Sequence, residues 1–168
     1  MNELQATGGD VLGIGGETDQ YLTFMLADEE YGVDILRVQE IRGWTRATPI
    51  PNAPSYLKGV INLRGAIVPI IDLRERFGLP PLEYGPTTVV VVLKVLGASG
   101  SRTMGLVVDA VSDVYSFGPD ARQSPPELGA VVDARFLQGL ATVGDKMVIL
   151  LDVDRLLNTG ALAVAGLE

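Results

Sequence analysis

Residues 56–77 read Y-L-K-G-V-I-N-L-R-G-A-I-V-P-I-I-D-L-R-E-R-F. Two apolar runs flank a tight N-L-R-G turn and end in a charged, helix-compatible segment, so the stretch predicts strand, turn, strand and short helix. One charged residue, Arg64, stands at the tip of an otherwise apolar hairpin. The same grammar returns at 136–157 as F-L-Q-G-L-A-T-V-G-D-K-M-V-I-L-L-D-V-D-R-L-L, without the arginine. At that offset Leu57 matches Leu137, Gly59 matches Gly139, Val68 matches Val148 and Asp72 matches Asp152. Ile70 and Ile71 match Leu150 and Leu151 in kind.

The repeat extends toward the N-terminus. Y-G-V-D-I-L-R-V-Q-E-I at 31–41 lines up with M-G-L-V-V-D-A-V-S-D-V at 104–114, with Gly32 against Gly105, Val38 against Val111 and Glu40 against Asp113. Two matching blocks in the same order, with offsets that differ by one loop length, argue for an internal duplication. The repeat units are placed at about 20–78 and 87–157, inside one domain at 20–157, with strands open to exchange between the halves. A glycine-rich tail without periodicity at 1–19 and a short tail at 158–168 flank it.

Composition narrows the function. A chain of 168 residues can bury one good core or two small ones, and 47% hydrophobic residues describe a folded protein. Thirteen basic against twenty-one acidic residues give a net charge of −8, which repels a nucleic-acid backbone. No apolar run reaches membrane-spanning length, and no secretion signal opens the chain, so no membrane insertion and a cytoplasmic location are expected. Cysteine and histidine are both absent. That removes disulfides, the usual soft metal ligands, the usual general base and the usual phospho-acceptor of histidine-kinase relays. No metal, cofactor or catalytic residue is expected.

Along the chain, strands are expected at 21–26 and 31–34, joined by a turn at Asp28-Glu29-Glu30. Ile35, Val38 and Ile41 fall three apart, which suits a short helical turn with one apolar side. Three prolines make 48–54 an extended loop. Strands follow at 59–63 and 66–71, where Pro69 implies an edge strand or a bulge. Asp72 with Glu75 resembles a capping box opening a helix that ends at Gly78. A β-branched run at 87–96 predicts a strand buried on both faces, paired with 103–108. A proline-rich loop at 118–129, the second hairpin and a last helix near 152–157 complete the chain. Many short strands and few helices mean mainly β structure: two small barrels rather than a wound α/β sheet.

Three motifs in order, V-Q-E-I-R-G at 38–43, K-G-V-I-N-L-R-G-A-I-V-P-I-I-D-L at 58–73 and G-L-V-V-D-A-V-S-D-V at 105–114, closely resemble the CheW family of bacterial chemotaxis coupling proteins. The resemblance runs from about Gln20 to Leu157. It implies two intertwined five-stranded SH3-like barrels with a hydrophobic groove between them. It also implies a non-enzymatic adaptor that joins the cytoplasmic hairpin tips of chemoreceptors to the regulatory domain of the histidine kinase CheA. Such an adaptor works at the inner face of the membrane, in receptor arrays. By the same resemblance Leu22, Ile35, Val38 and Ile41 line the receptor groove, Val108 and Val111 supply its far wall, Glu40 sits at its edge, and Arg64 is the family's turn arginine. The kinase-docking side chains are not picked out.

The residues suit that role. An amphipathic helical hairpin needs an apolar strip with a few polar anchors, and an arginine fork can hold a carboxylate or carbonyls with defined geometry. For Leu22 and Val108, in strands, ordinary core packing is an equal reading. For Ile35, Val38 and Ile41 docking is preferred, because a short helical turn cannot bury every side. For Glu40 a solvated charge is an equal reading, while for Arg64 docking is preferred over a solvated tip. Asp72 after an apolar strand also resembles a receiver-domain phospho-acceptor, but hairpins in place of alternating strands and helices favour an N-cap for it and for Asp152. Two other functions stand beside the adaptor: the CheW-like part of a larger CheA or CheV protein, and a carboxylate-based enzyme. The short stretch after the last expected helix favours a solitary adaptor over the first, and a cleft with two inward-facing acids would mark the second.

Overall fold

The computed structural model describes residues 19–97, 100–118, 122–123 and 134–158. The first half of the chain forms β1 (Asp19–Leu26), β2 (Glu29–Asp34), a 3-10 turn (Ile35–Arg37), β3 (Val38–Gly43), β4 (Leu57–Leu63), β5 (Ala66–Asp72) and α1 (Leu73–Arg76). The second half forms β6 (Val89–Gly97), β7 (Gly100–Val108), β8 (Ala110–Phe117), the two-residue β9 (Arg122–Gln123), a second 3-10 turn (Ala134–Phe136), β10 (Leu137–Val143), β11 (Lys146–Leu151) and α2 (Val153–Leu157). They build two sheets, ordered β9-β10-β11-β2-β1-β8 and β3-β6-β7-β5-β4. The first has six strands rather than the expected five, because Arg122–Gln123 pairs with β10 inside the stretch expected to be loop.

Each sheet takes strands from both halves. β5 of the first half runs parallel to β7 of the second, with Ile70 opposite Gly105, and β11 runs parallel to β2, with Leu150 opposite Gly32. Those pairs are the same pair under the two repeat offsets. Both glycines are needed for the close approach: a Cβ on Gly105 would meet Ile70 and Val90 at 2.8 Å, and one on Gly32 would meet Leu150 at 3.1 Å. The duplication reaches fine detail. Both hairpins carry a bulge at the same place, Leu57/Gly59 and Leu137/Gly139. Asp72 N–H donates to Tyr56 O at 2.7 Å and Asp152 N–H to Phe136 O at 2.8 Å. Asp72 and Asp152 then each cap a helix by accepting from the third residue on, Glu75 and Arg155. Only half of the expected capping box forms, since Glu75 pairs with Lys58 instead of reaching back to Asp72.

Packing follows the same symmetry. One core lies inside each sheet, with Val68, Ile70, Val90 and Val92 in the five-stranded one and Val148, Leu150, Ala141 and Tyr21 in the six-stranded one. The largest core lies between the sheets and receives both helices through Leu73, Val153, Leu156 and Leu157. Burying each such side chain contributes about 1.5–3 kcal/mol, so the central core links the halves more strongly than either small core alone.

Four expectations need correction. The turn between β1 and β2 is Ala27-Asp28, while Glu29 and Glu30 belong to β2; Glu30 is buried, 3.2 Å from Lys146 Nζ. β5 is an interior strand, not an edge, despite Pro69. Val60, opposite Pro69, exchanges both its backbone hydrogen bonds with Thr48 on its other side, at 2.9 Å each. The ladder to β7 starts only at Ile70, so neither neighbour asks Pro69 for the N–H it lacks. Residues 38–43 are a strand, not the end of a helical turn, and 110–117 form a further strand beyond those expected.

Two ion pairs lock the exchanged halves with reversed polarity. Arg37, in the first 3-10 turn, holds Asp154 of α2 through both nitrogens at 2.7 and 2.8 Å. Asp109, before β8, holds Arg74 of α1, the repeat equivalent of Asp154, at 2.9 Å. Burial works to raise the Asp154 pKa, but the bonds from Arg37 and from Leu96 N–H outweigh it and leave it below the usual value. A depressed native pKa means that the contribution is complete above about pH 4 and is lost as pH falls through the native value. Asp154→Asn is therefore expected to cost about 1–3 kcal/mol at pH 7, with the gap from the parent closing below pH 4. Urea melts at pH 7 and pH 3 check this; a constant gap at both would contradict it.

Candidate protein-docking surface

β3 is an edge strand, and its aim is set by one extra residue. Val38 sits opposite Leu93, but Glu40 sits opposite Val92, so Gln39 is bulged out. The bulge changes which face follows. Val38 and Ile41 pair with Leu93 and Val91, residues of the central core, whereas Glu40 and Arg42 pair with Val92 and Val90, which line the five-stranded sheet's own core. The three-residue spacing of Ile35, Val38 and Ile41 thus reflects a 3-10 turn followed by a bulged strand, not a helix. Ile35 and Val38 are half-buried against the central core, and Ile41 is 43% exposed.

The β4–β5 hairpin brings Arg64 to the same edge. Leu63 pairs with Ala66 across a two-residue loop in which Arg64 has φ 52° and Gly65 φ 91°. Positive φ at both positions is the twist a tight hairpin favours, and asparagine or glycine is the usual occupant. Asn62 Oδ1 accepts from Gly65 N–H at 2.8 Å and steadies the loop. Arg64 Nη2 bonds Glu40 Oε1, and Arg42 Nη1 lies 3.5 Å from the other Glu40 oxygen. The bond from Arg64, aided by the charge of Arg42, holds Glu40 below the ordinary glutamate pKa. Glu40 thereby tethers one edge of the guanidinium, while the Arg64 side chain stays 71% exposed. Ile67, opposite Asn62 on β5, is exposed as well.

The equivalent place in the other sheet is built alike but charged differently. Val114 and Met147, the counterparts of Ile41 and Ile67, are also exposed. The hairpin there turns through Gly144, φ 59°, and Asp145. One copy spends a glycine on the left-handed position and the other places an arginine there. Backbone strain of that kind costs about 1 kcal/mol and marks a residue kept for its side chain.

Leu22 and Val108 do not reach this surface. They are 3% and 1% exposed in the central core, which agrees with the core-packing reading left open for them: they support the rim from beneath. Val111 is half-buried on β8, the edge of the other sheet, where it pairs with Phe24. Ile35 and Val38 therefore pack against the margin of the central core from the 3-10 turn and β3, Val111 does so from the other sheet, and Ile41 stands exposed on the same strand as Val38.

A cleft of about 330 Å³ opens beside Trp44 and Tyr84, whose rings lie 4.3 Å apart. Its inner acids are already committed. Asp72 caps α1 and accepts from Tyr84 Oη at 2.5 Å, and Glu75 pairs with Lys58. Burial, reinforced by Asp72, pushes the Tyr84 pKa well above its usual range, so that hydroxyl stays a donor. Glu83 is the remaining acid of the lining, so among the described residues no uncommitted pair is left to share acid and base work there. Among the described residues no group of three or more acids could hold a metal ion.

An edge strand re-aimed by a bulge, a strained arginine tethered by a glutamate, and two sheets exchanged through Gly32 and Gly105 all lie in one matched stretch. The CheW-like domain family matches residues 20–161. The chain belongs to the CheW family. It is 45% identical to the chemotaxis protein CheW of Klebsiella aerogenes over 153 residues, 90% of each chain. It is 37% identical to the probable chemotaxis protein CheW of Rhizobium etli, over 83% of this chain and 87% of that one. The crystal structure of the scaffolding protein CheW of Thermoanaerobacter tengcongensis superimposes with a TM-score of 0.75 at 34% identity, covering 84% of this chain and 89% of the other. CheW proteins are chemotaxis scaffolds rather than enzymes, and this CheW chain shares their mainly β, SH3-like fold.

Proposed function

We propose that this chain couples the cytoplasmic hairpin tips of chemoreceptors to the regulatory domain of the kinase CheA, in signalling arrays at the cytoplasmic face of the membrane. Arg64 carries the reading: an exposed guanidinium, held in a disfavoured backbone conformation and tethered by Glu40, at the edge where Ile41 is also exposed. A receptor tip offers an amphipathic helix whose apolar side suits the rim at Ile35, Val38 and Ile41, and whose carboxylates or carbonyls suit the arginine fork. Val111 extends the rim from the other sheet. The family's scaffold role supports a chain that holds partners together without chemistry of its own. Among the described residues no helix is long and apolar enough to cross a membrane; in this reading the receptor brings the chain to the membrane.

Arg64→Asn separates strain from function. Asparagine tolerates the left-handed region, so stability is expected to hold or rise by up to about 1 kcal/mol. Affinity for a receptor cytoplasmic fragment is expected to fall about tenfold, the loss of one charge-assisted anchor. Thermal melts and calorimetric titration measure both. Undiminished receptor affinity together with a lowered melting point would make Arg64 a structural residue.

A further inference from the structure

Arg76 ends α1 with its guanidinium carbon 5.1 Å from the ring centre of Tyr56 and 4.9 Å from that of Phe136. Those rings are repeat equivalents, so one cation rests on the same position of both units. Its own equivalent, Leu156, is fully buried in the central core. No carboxylate answers Arg76 among the described residues, and its Nε is shut away from solvent without a hydrogen-bond partner. The nearest acids in sequence are committed elsewhere, Glu75 to Lys58 and Asp72 to the α1 cap and Tyr84. Arg135 adds a second guanidinium 5.6 Å from the Phe136 ring.

Aromatic faces attract a guanidinium but accept none of its five in-plane N–H bonds. The rings therefore fix the plane of the guanidinium and leave the Nη donors on its open side to solvent or to an arriving acceptor. A carboxylate answers such a fork through two parallel bonds. Position selects the carrier. β5 runs from the Arg64 turn to α1, and its seven residues span roughly 20 Å, so Arg76 lies at the opposite end of the strand from the proposed receptor edge. An adaptor that holds two partners together needs separate surfaces for them.

We propose that Arg76, seated on Tyr56 and Phe136, is a docking anchor for a carboxylate side chain of the kinase regulatory domain; the inference rests on the adaptor reading above. The test compares the parent chain with Arg76→Met, which keeps the apolar stem on the rings, and Arg76→Lys, which keeps charge without the fork. Calorimetry with the kinase regulatory domain should show affinity about tenfold weaker for Arg76→Met and an intermediate loss for Arg76→Lys. Affinity for a receptor fragment and cooperative folding should be unchanged. One kinase aspartate or glutamate, changed to its amide, should cost as much as Arg76→Met and add nothing to it. Parent-like kinase affinity in both variants would overturn the proposal and leave Arg76 a stacking residue alone. Equal losses toward both partners with a lowered melting point would also overturn it. A parent chain that binds neither partner would overturn the adaptor reading itself.

Discussion

Replacing Gly59 by alanine is expected to cost on the order of 3–5 kcal/mol, the sum of left-handed strain and a backbone collision. Gly59 has φ 136°, and a Cβ there would lie 2.1 Å from Thr48 O and 2.6 Å from Thr48 C. Those atoms are main chain and cannot rotate away. They also belong to the Thr48–Val60 exchange of hydrogen bonds, which ties the segment after β3 back to the outer strand β4. Relief of the clash must open that bond pair, loosening both the five-stranded sheet and the Arg64–Glu40 edge. Denaturant melts would show a large drop in midpoint, and receptor affinity would fall with it. Gly65→Ala meets nothing within 4 Å, so only backbone strain acts there and the loss should be smaller. Equal small losses at both positions would contradict this account of the closure.

Ile41→Asp is expected to leave the fold within about 1 kcal/mol of the parent, because the side chain is already 43% exposed. Receptor affinity is expected to fall about 100-fold or more, since a carboxylate would be desolvated against an apolar helix face, near Glu40, with no new cation to meet it. Val38→Asp is a poorer probe. Val38 packs against the central core, so its carboxylate would disturb folding and binding together. Titration of a receptor fragment against Ile41→Asp, with circular dichroism on the same sample, separates the two effects. Parent-like receptor affinity would move the receptor to another face.

Much of this fold is legible in the sequence, because duplicated glycines and aspartates leave a mark that survives in one chain. Gly32, Gly105 and Gly59 stand where a close approach requires them, Gly139 repeats the bulge position of Gly59, and Asp72 and Asp152 each cap a helix. What stayed hidden was set by partners distant in the chain. The bulge at Gln39 depends on register with β6, and without it Ile35, Val38 and Ile41 imitate a helix. Pro69 suggests an edge until Thr48 is seen to take the hydrogen bonds of Val60. The strand at Ala110–Phe117 carries polar residues at Ser112, Asp113 and Ser116, so its apolar alternation is weak and only pairing with β1 reveals it.

The site divides in the same way. Arg64 stood out because a lone cation at an apolar hairpin tip is visible in the letters. Its bond to Glu40, 24 residues away, and the disfavoured backbone that holds it are not. Leu22 and Val108 were indistinguishable from rim residues by pattern, since strand residues facing the central core and residues at its margin share the same apolar character. Arg37–Asp154 and Arg74–Asp109 join elements far apart in the chain, and reversed polarity hides them from a search for matching letters. Arg76 gave no signal, because its distinction is spatial: two rings beneath it and no answering acid among the described residues.

Coupling requires both partners on one molecule of the scaffold at once. The direct measurement is the affinity of the kinase regulatory domain for this chain, by calorimetry, first alone and then saturated with a receptor cytoplasmic fragment. Separate surfaces predict kinase affinities that agree within about twofold, with a ternary complex of defined stoichiometry. Loss of kinase binding in the presence of the receptor fragment would mean that the two compete for one surface, and would contradict the adaptor account.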